Sequence, residues 1–187
     1  METFAATLSG VAPLLMHNGQ LADPTNKWAK ELAKHAKGKA KNLEEARKIE
    51  FLGSLCLDED NRPCVTGDML YACVIAGARA RKQGKAAQAG VYEAAPSFSL
   101  KYDGPRDPLA LYKDGRFSDY RGVRVGQVRV MRSRPIFRSW SVDISLFFDP
   151  TLIEHDTLKL ALEHAGLACG LGDYRPRFGR FTVKVRS

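Results

Sequence analysis

The sequence predicts an α+β fold of β-α-β-β-α-β order, interrupted after its first strand by a helical insert. Three observations carry this expectation. Residues 4–15 form an apolar, β-compatible opening, and 68–83 and 157–168 carry amphipathic helical patterns. Strand-like stretches then occupy 123–148 and 181–186, where apolar and polar residues alternate. At 187 residues with 44% hydrophobic content, the chain suits one well-filled core, so a single domain over 1–187 is expected.

Taken in order, the opening strand is interrupted by Gly10 and Pro13 and turns out near His17. Asp23 followed by Pro24 predicts a helix entry, an acid at the cap and proline in the first turn. That helix runs to about Lys37, with Trp28 and Leu32 as apolar anchors and Gly38 as its stop. Asn42, with Glu45 three residues on, predicts a second helix start. Residues 55–65 read as a short hairpin around Asp58-Glu-Asp-Asn. Together these make a helical and hairpin insert over about 24–60. Hydrophobic burial is expected mainly outside it, so that deleting 25–52 would leave a cooperative domain.

Thr66 or Asp68 caps the central helix, whose buried stripe is Leu70, Val74 and Ala78 with Tyr71 and Ile75. Residues 86–121 are less regular, with a strand expected at 98–102 and turn signals at Asp103-Gly-Pro and Lys113-Asp-Gly. In the second β region, Val142, Ile144, Leu146 and Phe148 recur at period two. Leu158, Leu160, Ala161, Leu162, Ala165 and Leu167 make the last helix amphipathic, and a loop with three glycines leads to the final strand. The composite is an RRM, or ferredoxin-like, core with a C-terminal glycine-rich loop.

Charge points to the ligand class. The formal net charge is +8, which favours an anionic partner, nucleic acid first and a membrane surface second. No apolar run is long enough to span a bilayer, and Met1-Glu-Thr-Phe lacks a basic secretion-signal start. An intracellular, cytoplasmic protein is expected. The four cysteines include no Cys-x-x-Cys pair and the four histidines have no ligand spacing, so no metal and no cofactor are expected.

Four basic clusters are the binding candidates. Lys27, Lys30, Lys34 and Lys37 share one face of the first inserted helix, where a purely solvated face explains them as well as binding does. Arg79 and Arg81 close the central helix, where they also complement its dipole. Arg129, Arg132, Arg134 and Arg138 interleave with apolar residues and with Phe137 and Trp140, the pattern of a groove that tracks a single strand and stacks its bases. The same residues also suit a core strand with arginines on its outer face. Gly170, Gly172 and Gly179 alternate with Arg175, Arg177 and Arg180; glycine admits a close backbone approach, and arginine supplies donor forks for phosphate. The competing reading is a tight connection with solvated arginines.

Three stretches together resemble the RAMP superfamily, the RRM-fold proteins of CRISPR systems. LSGVAPLLM (8–16) resembles the family's apolar first strand ending in Pro-Leu. PCVTGDMLYACVIAGAR (63–79) resembles its proline-led element and the helix ending in arginine, with Thr66-Gly67 where the family often has Pro-Gly. GLGDYRPRFGRF (170–181) resembles its C-terminal glycine-rich loop. The likeness is nearest to the backbone subunits that line guide RNA, or to a solitary phage-borne relative. It implies single-stranded RNA, or DNA, held along one face, and self-association along that strand. It also implies CRISPR effector subunits as partners, in a bacterial or phage-infected cell.

The leading expectation is a non-catalytic binding protein. The alternatives are a RAMP-like endoribonuclease using His17 or His35, with Asp23 where cleaving subunits carry an acid, and a subunit-mimicking inhibitor that acts by protein binding. No second acid–base partner is identifiable in the sequence for any of these three residues.

Overall fold

The computed structural model describes residues 1–36 and 42–186. It has a mixed α+β architecture in which every named strand pair is antiparallel. The main sheet is built around β1 (Glu2–Gly10) and β8 (Ser141–Phe148), paired along nearly their whole length from Glu2↔Phe148 to Ser9↔Ser141. On the far side of β1 lies β9 (Phe181–Val185). On the far side of β8, β4 (Val91–Glu93) covers one end and β5 (Ser97–Lys101) the other, and β3 (Cys64–Thr66) closes the edge beyond β5.

Period-two alternation decides which face of this sheet is covered. Phe4, Ala6 and Leu8 of β1 and Val142, Ile144, Leu146 and Phe148 of β8 are all buried. They meet Leu70, Val74 and Ala78 of α3 (Gly67–Ala80) and Leu158, Ala161 and Leu162 of α6 (His155–His164) in one core. At about 25 cal/mol per Å² of apolar surface, this cluster is the main source of stability. Thr66 caps α3, its Oγ1 accepting from Met69 N at 3.2 Å, as the sequence suggested. After α6 the chain widens into a π-type turn, Ala165–Cys169, before the glycine loop.

The region expected to be irregular holds more structure than its pattern shows. Besides β4 and β5 it contains α4 (Gly84–Gly90) and α5 (Pro108–Asp114), each seven residues long. Two turns of helix are too few for a hydrophobic period to stand out. The second sheet is smaller: β2 (Leu14–Leu15) pairs with β7 (Val128–Phe137), which pairs in turn with β6 (Ser118–Val125). β6 and β7 form a long hairpin joined at Gly126 and Gln127.

The insert departs from expectation in two respects. Asp23 does not cap the first helix; its Oδ1 accepts from Thr25 N and Oγ1 in a local turn, and α1 (Lys27–Ala36) starts behind Asn26. The expected stop at Gly38 lies outside the described residues. The insert is also not peripheral to the core. In α2 (Leu43–Ser54), capped by Asn42 as predicted, Phe51 is fully buried, packs 5.2 Å from the ring of Tyr112 and belongs to the main core. Removing 25–52 would take Phe51 out of that core, against the premise that hydrophobic burial lies mainly outside the insert.

Candidate nucleic-acid interface

His17, just after β2, the β6–β7 hairpin and the glycine loop enclose a cleft of about 730 Å³. The chain bends at 11–13, and Leu15 O then accepts from Asp173 N at 2.8 Å while Pro13 O accepts from Gly179 N at 2.8 Å. These bonds lay the glycine loop beside β2, and β2 is itself hydrogen-bonded to β7. His17, Asp173 and Tyr174 therefore meet Arg124, Arg129, Arg132 and Arg134, residues far apart in the chain.

Two acids, the buried Glu50 and the half-buried Asp173, orient two of these arginines. Glu50 on α2 accepts from Arg132 Nη1 at 2.8 Å with one oxygen and from Ser133 N at 2.7 Å with the other. Arg134, whose side chain is only 6% exposed, donates from Nη1 to Asp173. Among the described residues, no group accepts from Arg134 Nε or Nη2. Arg129 is exposed and sits opposite Arg124 across the hairpin, and Arg124 Nε donates to Gly126 O at 3.0 Å. The cleft thus has carboxylate-anchored arginines at its floor and exposed arginines at its mouth. Such fixed forks suit bidentate recognition of a phosphate oxyanion.

His17 lies among these charges, with Nδ1 3.4 Å from Ser54 Oγ. Burial of the ring lowers its pKa from the usual 6.5; Arg132 and Arg134 push the same way, while Asp173 and Glu50 partly oppose them. This direction favours the uncharged imidazole at neutral pH, so the fixed positive charge of the cleft is that of its arginines.

Several residues expected to bind take other roles. Trp140 is buried, its Nε1 donating to Ala12 O at 2.9 Å, and Phe137 is wholly in the core, so neither presents a stacking face. Gly170 and Gly179 are buried against their own chain, and Gly172 has little more room. All three have positive φ, and a Cβ on Gly172 would fall 2.4 Å from Leu15 O and one on Gly179 1.8 Å from Leu171 O. These glycines fold the loop back on the protein and leave no gap there for a ligand backbone.

Arg138 donates to Arg116 O and does not line the cleft. Arg175 lines an adjoining depression together with Asp173 and Tyr174. Arg180 lines a separate groove with Glu163 and Leu167, and Arg177 is exposed elsewhere on the loop. Arg79 and Arg81 are exposed at the end of α3. Lys34 pairs with Glu31 at 2.8 Å, and Lys37 lies outside the described residues. His35, next to Glu31 on α1, and Asp23 line no part of the cleft.

Glu50, Asp173, Tyr174 and Arg124 were not singled out from the sequence. An acid on the apolar side of an amphipathic helix was the available signal for Glu50; nothing local marks the other three. Among the described residues there is no group of three or more potential metal ligands, and no helix is long and apolar enough to cross a membrane. No family model matches the chain, and no curated protein matches it significantly.

Proposed function

We propose that this protein is a non-catalytic binder of single-stranded nucleic acid, RNA in the first instance, built on an RRM-like core of the RAMP type. The observation that carries the reading is the convergence of Arg124, Arg129, Arg132 and Arg134 in one cleft beside the glycine loop. The net charge of +8 supports it. The spatial order β9-β1-β8, followed by β4 and β5, with α3 and α6 sharing the buried face, supports the RRM-like topology. Phosphate tracking is favoured over base stacking in the middle of the sheet, where the open face carries Thr7, Asp143 and Ser145.

Fluorescence anisotropy on labelled single-stranded RNA of mixed sequence tests the reading. Binding should weaken linearly with the logarithm of salt concentration, at about 0.7 per phosphate contact. Absence of salt-sensitive binding to any single strand would overturn it. The position of His17 in the same cleft favours one second reading, a ribonuclease with His17 as proton acceptor. Cleavage of that RNA by the wild-type protein, lost in His17→Ala, would replace the non-catalytic reading.

A further inference from the structure

Arg134 is the unusual group in the cleft. Its guanidinium is almost wholly buried, yet only one nitrogen has a protein acceptor, Asp173. A buried donor without an acceptor is costly, so side chains are seldom left this way without a compensating partner. The unused donors belong to a residue on the cleft wall, with the part-exposed Arg132 and the exposed Arg129 beside it. Nε and Nη2 have almost no accessible surface, so an oxyanion at that wall would first meet Arg132 and Arg129, the latter with no protein acceptor among the described residues, and would complete the bonding of Arg134 as its guanidinium turns outward.

The rim has a second feature of different chemistry. Tyr174 is 47% exposed and lines both the cleft and the adjoining depression that Arg175 shares. Its backbone lies at φ 57°, a region few non-glycine residues occupy, and its N–H donates to Asp173 Oδ1 at 2.8 Å. The ring leans on Phe178, with centroids 5.7 Å apart and 46° between planes, and Phe178 also packs beside the guanidinium of Arg121. An aromatic ring held from behind, with nearly half its surface open, is a low-entropy platform for a nucleobase.

Resting on the nucleic-acid reading above, we propose that this cleft is a single-nucleotide subsite. One phosphate sits on Arg134, Arg132 and Arg129, and the base of the same nucleotide stacks on Tyr174. Asp173 links the halves, because one carboxylate anchors Arg134 through Oδ2 and the Tyr174 backbone through Oδ1. The remaining contacts with the strand carry no base and spread along the outer arginines.

Adenosine 5′-monophosphate and ribose 5-phosphate serve as probes, titrated into the full chain and followed by the NMR signals of arginine Nε–H and Tyr174. Wild type should bind the nucleotide at least about fivefold more tightly than the sugar phosphate, the low end of one base–aromatic stack. Tyr174→Leu should abolish that preference and leave sugar-phosphate affinity unchanged, and Tyr174→Phe should keep it. Arg134→Lys, which retains the charge but loses the fork, should weaken both probes. Arg129→Ala provides the same readout on an exposed side chain if Arg134→Lys unfolds. Equal affinity of wild type for the two probes, or binding of neither, overturns the subsite. If single-stranded RNA still binds in that case, the general reading stands. If RNA fails as well, both fall.

Discussion

The arginine cleft and the open face of the main sheet both combine basic residues with an acid, and they use the acid in opposite ways. On the sheet, Asp143 lies between Lys101 Nζ at 2.6 Å and Arg186 Nη1 at 3.3 Å, and also accepts from Thr7 Oγ1 at 2.7 Å. These bonds and nearby cations hold its carboxyl below the ordinary range, and one acid is shared between two surface cations, offsetting half of their charge. In the cleft, Glu50 sits behind Arg132 and Asp173 on the cleft wall holds Arg134, while Arg124 and Arg129 have no acid partner among the described residues. A carboxylate among cations quenches an anion site, whereas one placed behind them orients it. The sheet does present an aromatic pair, Tyr92 opposite Phe147, both exposed, but at the end occupied by β4 and away from Asp143.

The largest expected effect separates the two acids by stability. Glu50→Ala should destabilise the fold by about 3 kcal/mol, because it strands Arg132 and leaves the buried Ser133 N–H without its acceptor. Asp143→Ala should cost no more than about 1 kcal/mol, the usual worth of solvent-screened surface pairs. Urea denaturation of both variants reads the difference. Equal losses would mean that Glu50 is no more structural than a surface acid.

The next effect concerns charge at constant arithmetic. Arg124→Ala with Arg129→Ala, and Lys101→Ala with Arg186→Ala, each remove two cations. At a slope of about 0.7 per phosphate contact, the first pair should weaken single-stranded RNA binding about tenfold near physiological salt, at every sequence. The second pair should change it by less than about twofold, since Asp143 already offsets those cations. A larger loss from the sheet pair, or from Tyr92→Ala with Phe147→Ala, would move the strand onto the sheet.

The smallest effect is a pH dependence confined to the cleft. The folded-state pKa of His17 lies below 6.5, so the unfolded chain takes up its proton first as pH falls. The protein should therefore lose stability as pH drops through the unfolded value and on through the lower folded one, with no contribution from this group well above 6.5. His17→Gln should remove that slope, and thermal melts at a series of pH values read it. A bound phosphate should shift the His17 titration upward, because an anion favours the imidazolium. An unchanged melting slope in the glutamine variant would place His17 outside the sheltered cleft.

Much of the fold was legible because its signals are local. Thr66 and Asn42 act as caps because the orphan N–H groups they satisfy lie three residues away. The alternation in β8 and β9 shows which residues turn inward, because successive side chains in any strand point to opposite faces. The short helices α4 and α5 left no comparable trace. Asp23-Pro24 carried the signal of a helix start, but Asn26 took the cap.

The candidate site was half legible. The interleaved run from Arg129 to Arg138 already pointed to β7, the strand that carries three of the cleft's arginines. Sequence could not separate Arg134 from Arg138, or distinguish Trp140 as core from Trp140 as platform. Those outcomes follow from contacts across long stretches of chain: Glu50 reaching Ser133, Asp173 reaching Arg134, and Ala12 taking the indole N–H of Trp140. Alternation assigns a residue to one side of its strand, but what covers that side is set by how β2, α2 and the glycine loop pack. The charge, the strand faces and the caps at Thr66 and Asn42 follow from residue type and near neighbours alone. Only the tertiary structure decided which arginines are anchored and which are open, because a buried charge persists only where a distant acid is brought to meet it.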